Sequence, residues 1–544
     1  MWRFLIFISA LGGTFVIGMT IVEPGPQYPP TKGAVWPKPQ QQITEDTYFI
    51  YNPADFNIKV TGQSCLTLTD AITRYSFLAR DLHRTARLLS RKIVSSTRKK
   101  REQLDDEKLI GNLTELEVDL TSACEEYPYF GMVESYNLTI SAKPLLQSTT
   151  IWGILRGLET WIQMFYITDD FSEVRINATK IIDYPQYAHR GVLLDTSRHY
   201  ISVANILKLI DAIAINKMNV LHWHIVDDQS FPYESRSFPD LSRLGAYNKL
   251  MIYEVKDINM IIDHAKHRGV RIIPEFDVPG HTRSWGVAFP NILTKCYNGD
   301  KVIGLGPMDP TKNTTYKLLH GLISEVQSLF PDRYFHVGGD EVDLDCWKSN
   351  PDIVEYMKQN NLTSAAQLHA LFMRNVIPLL GNKSLPIVWQ EVFDENVPLS
   401  PYTIIQVWKG YWQSEIIRIL SAGHKVIFSS AWYLDHLKSG GDWVEFYSTN
   451  PRKMAAWYDS DIDVSNIVGG EACMWGEVVD DNNVMSRIWP RASAVAEKLW
   501  SSETPDHPDN MVYRRLEEHA CRMNRYGIKA QPPSGPGFCL GAFS

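Results

Sequence analysis

Two adjacent carboxylates, Asp340 and Glu341, follow two glycines directly after a β-rich run, Tyr334–Val337. Acidic residues in such a place can simply cap a helix and favour its N-terminal dipole. Two carboxylates this close also repel each other, so one is driven to keep its proton near neutral pH. A protonated carboxyl is what a glycosidic leaving oxygen needs.

Other β-rich runs decide between these readings, because they too end in aromatic or ionisable groups. They give Asp195-Thr-Ser-Arg198-His199, Asp227-Asp228, Glu275-Phe-Asp277-Val-Pro-Gly-His281, Trp389-Gln-Glu391, Trp408, Trp432-Tyr433-Leu434-Asp435 and Trp475-Gly-Glu477. One concave pocket explains all of these ends together. Trp389, Trp408 and Trp475 could each fill core alone; three at one rim form an apolar slot of a size for an N-acetyl methyl. Arg198, Asp227 and Glu477 are placed to bind hydroxyls by charge-assisted hydrogen bonds, although a structural salt bridge from Arg198 to Asp195 is equally open. His222-Trp-His224 puts two imidazoles on one strand face and, with His281 and a carboxylate, resembles the ligand set of a barrel metal-hydrolase. These histidines precede the strand end by several residues, so they are expected to point into a packed barrel as structural groups, with no metal or other cofactor. No third carboxylate stands beside Asp340 and Glu341 in sequence to serve as a nucleophile.

The elements that must position these groups recur regularly. The β-rich runs are Gly191–Asp195, Asn219–Val226, Val270–Phe276, Tyr334–Val337, Pro386–Trp389, Thr403–Trp408, Lys425–Ser429 and Ile467–Trp475, with amphipathic stretches such as Ala204–Asn216 and Ile258–His267 between them. Eight strand–helix units over about 300 residues predict a (β/α)₈ TIM barrel, whose reactive groups sit at the C-terminal ends of its strands. A doubly wound sheet would want a glycine-rich phosphate loop after an early strand, and the sequence has none. Before about residue 185, strand-like runs accompany one helical stretch, Leu145–Tyr166, in which Ile151, Trp152, Leu155, Leu158 and Trp161 recur at helical spacing. Residues 23–185 are therefore expected to form a smaller domain and residues 186–544 the barrel with its tail; 544 residues exceed one ordinary core.

The net charge of −8 offers nucleic acid no basic surface and argues against acidic polyanions as partners. Arg3 precedes an apolar run, Phe4–Val22, ended by Glu23-Pro24-Gly25. Residues 1–22 read as a signal peptide, or as a membrane anchor if uncleaved. Sequons at Asn112, Asn137, Asn177, Asn313, Asn361 and Asn382 point to the secretory route. Seven cysteines allow three disulfides and one spare thiol, for which Cys473 in an apolar run is the candidate. Arg98-Lys-Lys-Arg101 lies in a polar stretch that is either an exposed loop or a processing site.

At these residues the chain resembles glycoside hydrolase family 20 β-N-acetylhexosaminidases, most of all the animal lysosomal type. The resemblance rests on His189-Arg-Gly-Val-Leu-Leu-Asp-Thr-Ser-Arg198, Leu221-His-Trp-His-Ile-Val-Asp227, Glu275-Phe-Asp-Val-Pro-Gly-His281, His336-Val-Gly-Gly-Asp340-Glu341, Trp389-Gln-Glu-Val-Phe and Gly469-Gly-Glu-Ala-Cys-Met-Trp475-Gly-Glu477, spanning about residues 145–540. It implies that the substrate's 2-acetamido oxygen is the nucleophile and that Glu341 is the acid/base. Asp340 would orient the acetamide, Tyr433 donate to its oxygen, and the three tryptophans enclose it. Arg198, Asp227 and Glu477 would hold the terminal sugar, and Asp227 with His281 would tune Glu341. It further implies an N-terminal α/β domain, a homodimer or a heterodimer with a related subunit, a lysosomal or secreted location, and pairings Cys65–Cys124, Cys296–Cys346 and Cys521–Cys539. Asp435 matches the β-type subunit that prefers neutral substrates, whereas His436 matches neither subunit type. A non-catalytic glycan-binding protein of the same fold is the rival reading.

Overall fold

The computed structural model describes residues 31–94, 107–436, 438, 441–534 and 539; the leading apolar run and Arg98–Arg101 lie outside them. Among the described residues no helix is long and apolar enough to cross a membrane.

The first unit is a mixed sheet in the spatial order Asn57–Val60, Glu115–Leu120, Leu145–Ser148, Tyr136–Ile140, Val174–Asp183, Gln41–Tyr51, Leu109–Leu113. Alternation decides its faces: Tyr136, Leu138 and Ile140 are buried while Asn137 between them is exposed. Helix Ile151–Gln163 covers the buried face and is itself buried throughout, because the barrel lies on its other side. It starts six residues later than the sequence suggested. Leu145–Ser148 instead alternates as a strand, and Thr150 caps the helix by accepting from the Gly153 amide at 3.1 Å. A second helix, Leu66–Val94, has no counterpart in the sequence reading. Much of its inner face is built from small residues, Ala71, Ala79 and Ala86, which carry a weak apolar signal.

Eight parallel strands then close into a barrel: His189–Asp195, Val220–Val226, Arg271–Phe276, Tyr334–His336, Leu385–Trp389, Ile404–Val407, Lys425–Phe428 and Ile467–Met474, the last pairing with the first. Helices such as Val203–Ile215 and Val255–Lys266 return the chain outside it. Each expected strand lies within two residues of an observed one.

Buried charge locks the two units together. Glu134 takes Arg156 Nε at 2.9 Å and Arg190 Nη2 at 2.6 Å, and Arg156 also donates to the Gly269 carbonyl at 2.8 Å. Removing one partner of such a buried group typically costs about 3–5 kcal/mol. The segment Thr31–Trp36 lies along the seam: Thr31 donates to Glu518, the Val35 carbonyl accepts from Arg515, and Trp36 Nε1 donates to the Ser493 carbonyl. The disulfides are Cys65–Cys124, Cys296–Cys346 and Cys521–Cys539, with Cys473 free and buried.

Asn112, Asn137, Asn313, Asn361 and Asn382 are exposed. Asn177 corrects the sequence expectation. It is buried, its amide donates to the Glu45 carbonyl at 3.0 Å, and its oxygen accepts from the Tyr166 hydroxyl at 2.8 Å, so a glycan has no room there in the folded protein.

Candidate active site

The fourth strand ends at His336 and the chain turns through Gly338 (φ +68°) and Gly339 (φ +103°) to deliver Asp340 and Glu341. Only glycine fits the first turn position, since a Cβ on Gly338 would stand 1.7 Å from Asp277 Oδ1. Glu341 itself holds φ +49°, an uncommon conformation for a side-chain-bearing residue and one enriched at functional sites. The turn leaves the two carboxylates unequally exposed, though both face His281 Nε2, Asp340 at 3.8 Å. Asp340 is buried, whereas the Glu341 side chain is 57% exposed and faces His281 Nε2 at 3.6 Å.

A second buried carboxylate, Asp277 from the third strand end, lies beside Asp340. Burial, and next the Asp340 charge, push the Asp277 carboxyl well above the usual range. Asp277 Oδ1 also accepts the Gly339 amide at 2.8 Å. This corrects the expectation that no third carboxylate lies beside the pair. Asp277 is one, and Glu391 is another, since its carboxyl is raised by burial and then by the Asp340 charge. The sequence shows both residues at strand ends but gives no sign that either meets Asp340.

Beside Asp340 the aromatic groups come together. Leu193, Trp389 and Cys473 form a buried floor against which Trp408, Tyr433 and Trp475 pack. Trp389 and Trp475 have ring centroids 6.0 Å apart, and Trp408 stacks with Tyr433 at 6.2 Å. Burial, then the neighbouring Cys473, keeps the Tyr433 phenol protonated and so a donor. Asp435, two residues on, is partly buried with Oδ1 unpartnered among the described residues, and burial raises its carboxyl.

At the opposite rim Arg198 pairs with Asp195 at 3.0 Å, the salt bridge the sequence left open, and with Asp227 at 2.8 Å. Its guanidinium lies 5.2 Å from the Trp475 ring centroid and feels the exposed carboxylate of Glu477. Asp227 Oδ1 faces His281 Nδ1 at 3.1 Å. Burial opposes the Asp227 charge, but hydrogen bonds from His224 and His281 outweigh it and hold the carboxyl well below its usual range. Burial likewise opposes the His281 cation, yet Asp277, Asp227 and Asp340 raise its pKa well above the usual value.

His222 and His224 point into the barrel and sit between carboxylates. His222 is 2.8 Å from Glu471 and 3.0 Å from Glu275; His224 is 2.6 Å from Glu275 and 2.8 Å from Asp227. Glu275 also accepts Trp389 Nε1 at 2.8 Å and faces His336 at 3.0 Å. Against the cost of burial these carboxylates push His222 up to about 9 and His224 up to about 10. His222, Glu275 and His336 come within ligand distance of one another, with Glu275 3.0 Å from each imidazole. The sequence reading missed Glu275 and Glu471 as members of this network. The only signal was their place inside strands at inward-facing positions.

The chain matches a profile described as "Glycosyl hydrolase family 20, catalytic domain" over residues 187–503 and one described as "beta-acetyl hexosaminidase like" over residues 35–164. It is 40% identical to the Mus musculus beta-hexosaminidase subunit beta over 97% of this chain and 96% of that one. It is 41% identical to the Rattus norvegicus subunit alpha over 93% and 95% of the two chains. The Flavobacterium johnsoniae chitobiase superimposes with a TM-score of 0.75 at 28% identity, covering 91% of this chain and 73% of that one. With an acidic strand-end turn, an indole slot and an arginine-anchored rim on a closed eight-stranded barrel, the chain belongs to glycosyl hydrolase family 20 and is a glycoside hydrolase of the β-N-acetylhexosaminidase type.

Proposed function

We propose that this enzyme removes terminal, non-reducing β-linked GlcNAc or GalNAc from glycans, glycolipids or chitooligosaccharides by a substrate-assisted, retaining route. One observation carries the mechanism: Trp389, Trp408, Tyr433 and Trp475 gather beside Asp340 into an aromatic slot. Asp277 is buried with its carboxyl pushed upward, and Glu391 is held by the Trp408 indole and Lys409. The slot is instead shaped for a group the substrate brings.

In this reading the acetamide carbonyl oxygen bonds to the anomeric carbon as the bond to the leaving oxygen breaks, and Glu341 gives its proton to that oxygen. Asp340 holds the acetamide N–H and balances the oxazolinium charge, and Tyr433 donates to the acetamide oxygen. Trp389, Trp408 and Trp475 exclude water around the methyl. Water then adds to the anomeric carbon, returning its proton to Glu341 and restoring the acetamide with net retention. Arg198, Asp227, Asp435 and Glu477 hold the sugar hydroxyls, and His281, backed by Asp227, faces Glu341.

The separate sheet and barrel support a division into residues 23–185 and 186–544. The five exposed sequons and three disulfides support passage through the secretory route to the lysosome or outside the cell. Relatives named as alpha and beta subunits support a homodimer or a heterodimer with a related chain. Assay of aryl GlcNAc, GalNAc and 6-sulfated GlcNAc beside the aryl glucoside tests the function: the first two should turn over, and the glucoside, lacking the acetamide, should fail. Equal turnover of the glucoside would reject the mechanism.

A further inference from the structure

The fifth and sixth strands are joined at their C-terminal ends by a clamp to which the mechanism above gives no role. The short helix Gln390–Asp394 starts directly after Trp389, which places Gln390 and Glu391 in its first turn. Gln390 Oε1 accepts two backbone amides of the neighbouring strand end, Trp408 N at 3.1 Å and Lys409 N at 2.9 Å. Glu391 takes the side chains of the same two residues: Oε2 accepts Trp408 Nε1 at 3.0 Å, and Oε1 pairs with Lys409 Nζ at 2.8 Å. The second face of the Trp408 ring is set by Tyr433, stacked at 6.2 Å and 26°.

An indole on a surface loop has free rotation about two side-chain bonds. Here backbone, ring edge and ring face are fixed by three different residues, Gln390, Glu391 and Tyr433. Only the Nε1 bond determines which way the ring edge turns once the backbone is held. Glu391 is buried beside Asp340, where a carboxylate is costly unless it is paired and hydrogen-bonded. An apolar residue would fill the volume at less cost, so an acceptor for Trp408 Nε1 has a use in that place.

We propose that Glu391 is a positioning residue for the hydrolytic reaction. It aligns the Trp408 indole as one wall of the acetamide slot and so sets how closely the slot fits the N-acetyl group. The inference rests on the substrate-assisted reading. It adds that the accuracy of the nucleophile's placement depends on a carboxylate that does not touch the substrate. A misplaced near-attack geometry lowers turnover more than it weakens binding of the sugar ring, which the far rim holds.

A double-mutant cycle with an acyl-size readout tests this. Glu391→Ala should lower kcat for aryl GlcNAc about tenfold or more with a smaller change in KM, and should narrow the preference for N-acetyl over N-propionyl substrate. Glu391→Gln, whose side-chain oxygen can still accept from Trp408 Nε1, should recover most of both. In a Trp408→Phe background, which has no Nε1, Glu391→Ala should add little further loss. Independent, multiplicative losses in the cycle, or an alanine variant with unchanged acyl preference, would overturn the proposal. So would a glutamine variant as impaired as alanine. These outcomes leave the wild-type enzyme's discrimination against the 2-hydroxyl sugar untouched, so failure of the clamp is separable from failure of the mechanism.

Discussion

His281 Nε2 stands 3.6 Å from the Glu341 carboxylate, aimed at it from the third strand end. The ring holds φ +56° in its backbone and is tied on its other nitrogen to Asp227. The exposed acid is thus steadied by a cation whose own charge is secured deeper in the barrel.

Glu341→Gln should reduce turnover of aryl N-acetylglucosaminide by about a hundredfold or more, the usual contribution of a positioned acid/base. The amide keeps the shape but cannot supply a proton. Steady-state kinetics on folded variant decides it, and near-normal turnover would remove Glu341 from the role.

A thiazoline that copies the cyclised intermediate should bind far more tightly than free GlcNAc, because it resembles a species close to the transition state. Competitive inhibition constants measure this. Comparable affinity for the two, or a glycosyl group trapped covalently on a carboxylate, would instead indicate an enzyme nucleophile.

Stability should fall between acid and neutral pH. Glu159 is buried at the junction of the two units, accepts from Tyr75 and Gln163, and is pushed up to about 7 by burial. A carboxyl raised in the folded state stabilises fully below its unfolded value near 4.5 and loses that contribution as pH rises through about 7. The loss is at most roughly 3 kcal/mol. Melting temperature should therefore be higher at pH 5 than at pH 8, and Glu159→Gln should flatten the difference. An unchanged slope in that variant would show that Glu159 is not the source.

Glycopeptide mapping should find Asn177 unmodified even where other sequons carry glycan. Asn177→Ala should leave the mass of the glycoprotein unchanged apart from the substitution, yet destabilise it by about 1–3 kcal/mol through the lost bonds to Tyr166 and Glu45. A glycan on Asn177 would contradict its buried position.

The barrel was legible because eight successive strand ends carry aromatic or ionisable side chains, and that pattern survives without knowledge of register. Arg198, Asp227, Trp389, Trp408, Tyr433 and Trp475 could be read off in this way. Pairing could not. Asp340 next to Glu341 looks like a pair in sequence, but nothing there shows that the turn at Gly338 and Gly339 also meets Asp277 from another strand. Glu275 and Glu471 stayed hidden because a carboxylate inside an apolar strand declares nothing until the histidines facing it are known. Helix Leu66–Val94 escaped because its alanines bury as well as leucines against a neighbouring helix but score weakly in any pattern.

The bond between Thr31 and Glu518 joins residues 487 positions apart. At about 5–20 residues synthesised per second, roughly 25–100 s separate the appearance of these two partners. For that interval Val35 and Trp36, fully buried in the finished protein, have no C-terminal helix to cover them. The seam consequently cannot be completed until nearly the whole chain has been synthesised. The apolar segment beside it is the stretch most in need of a chaperone's protection while the ribosome is still at work.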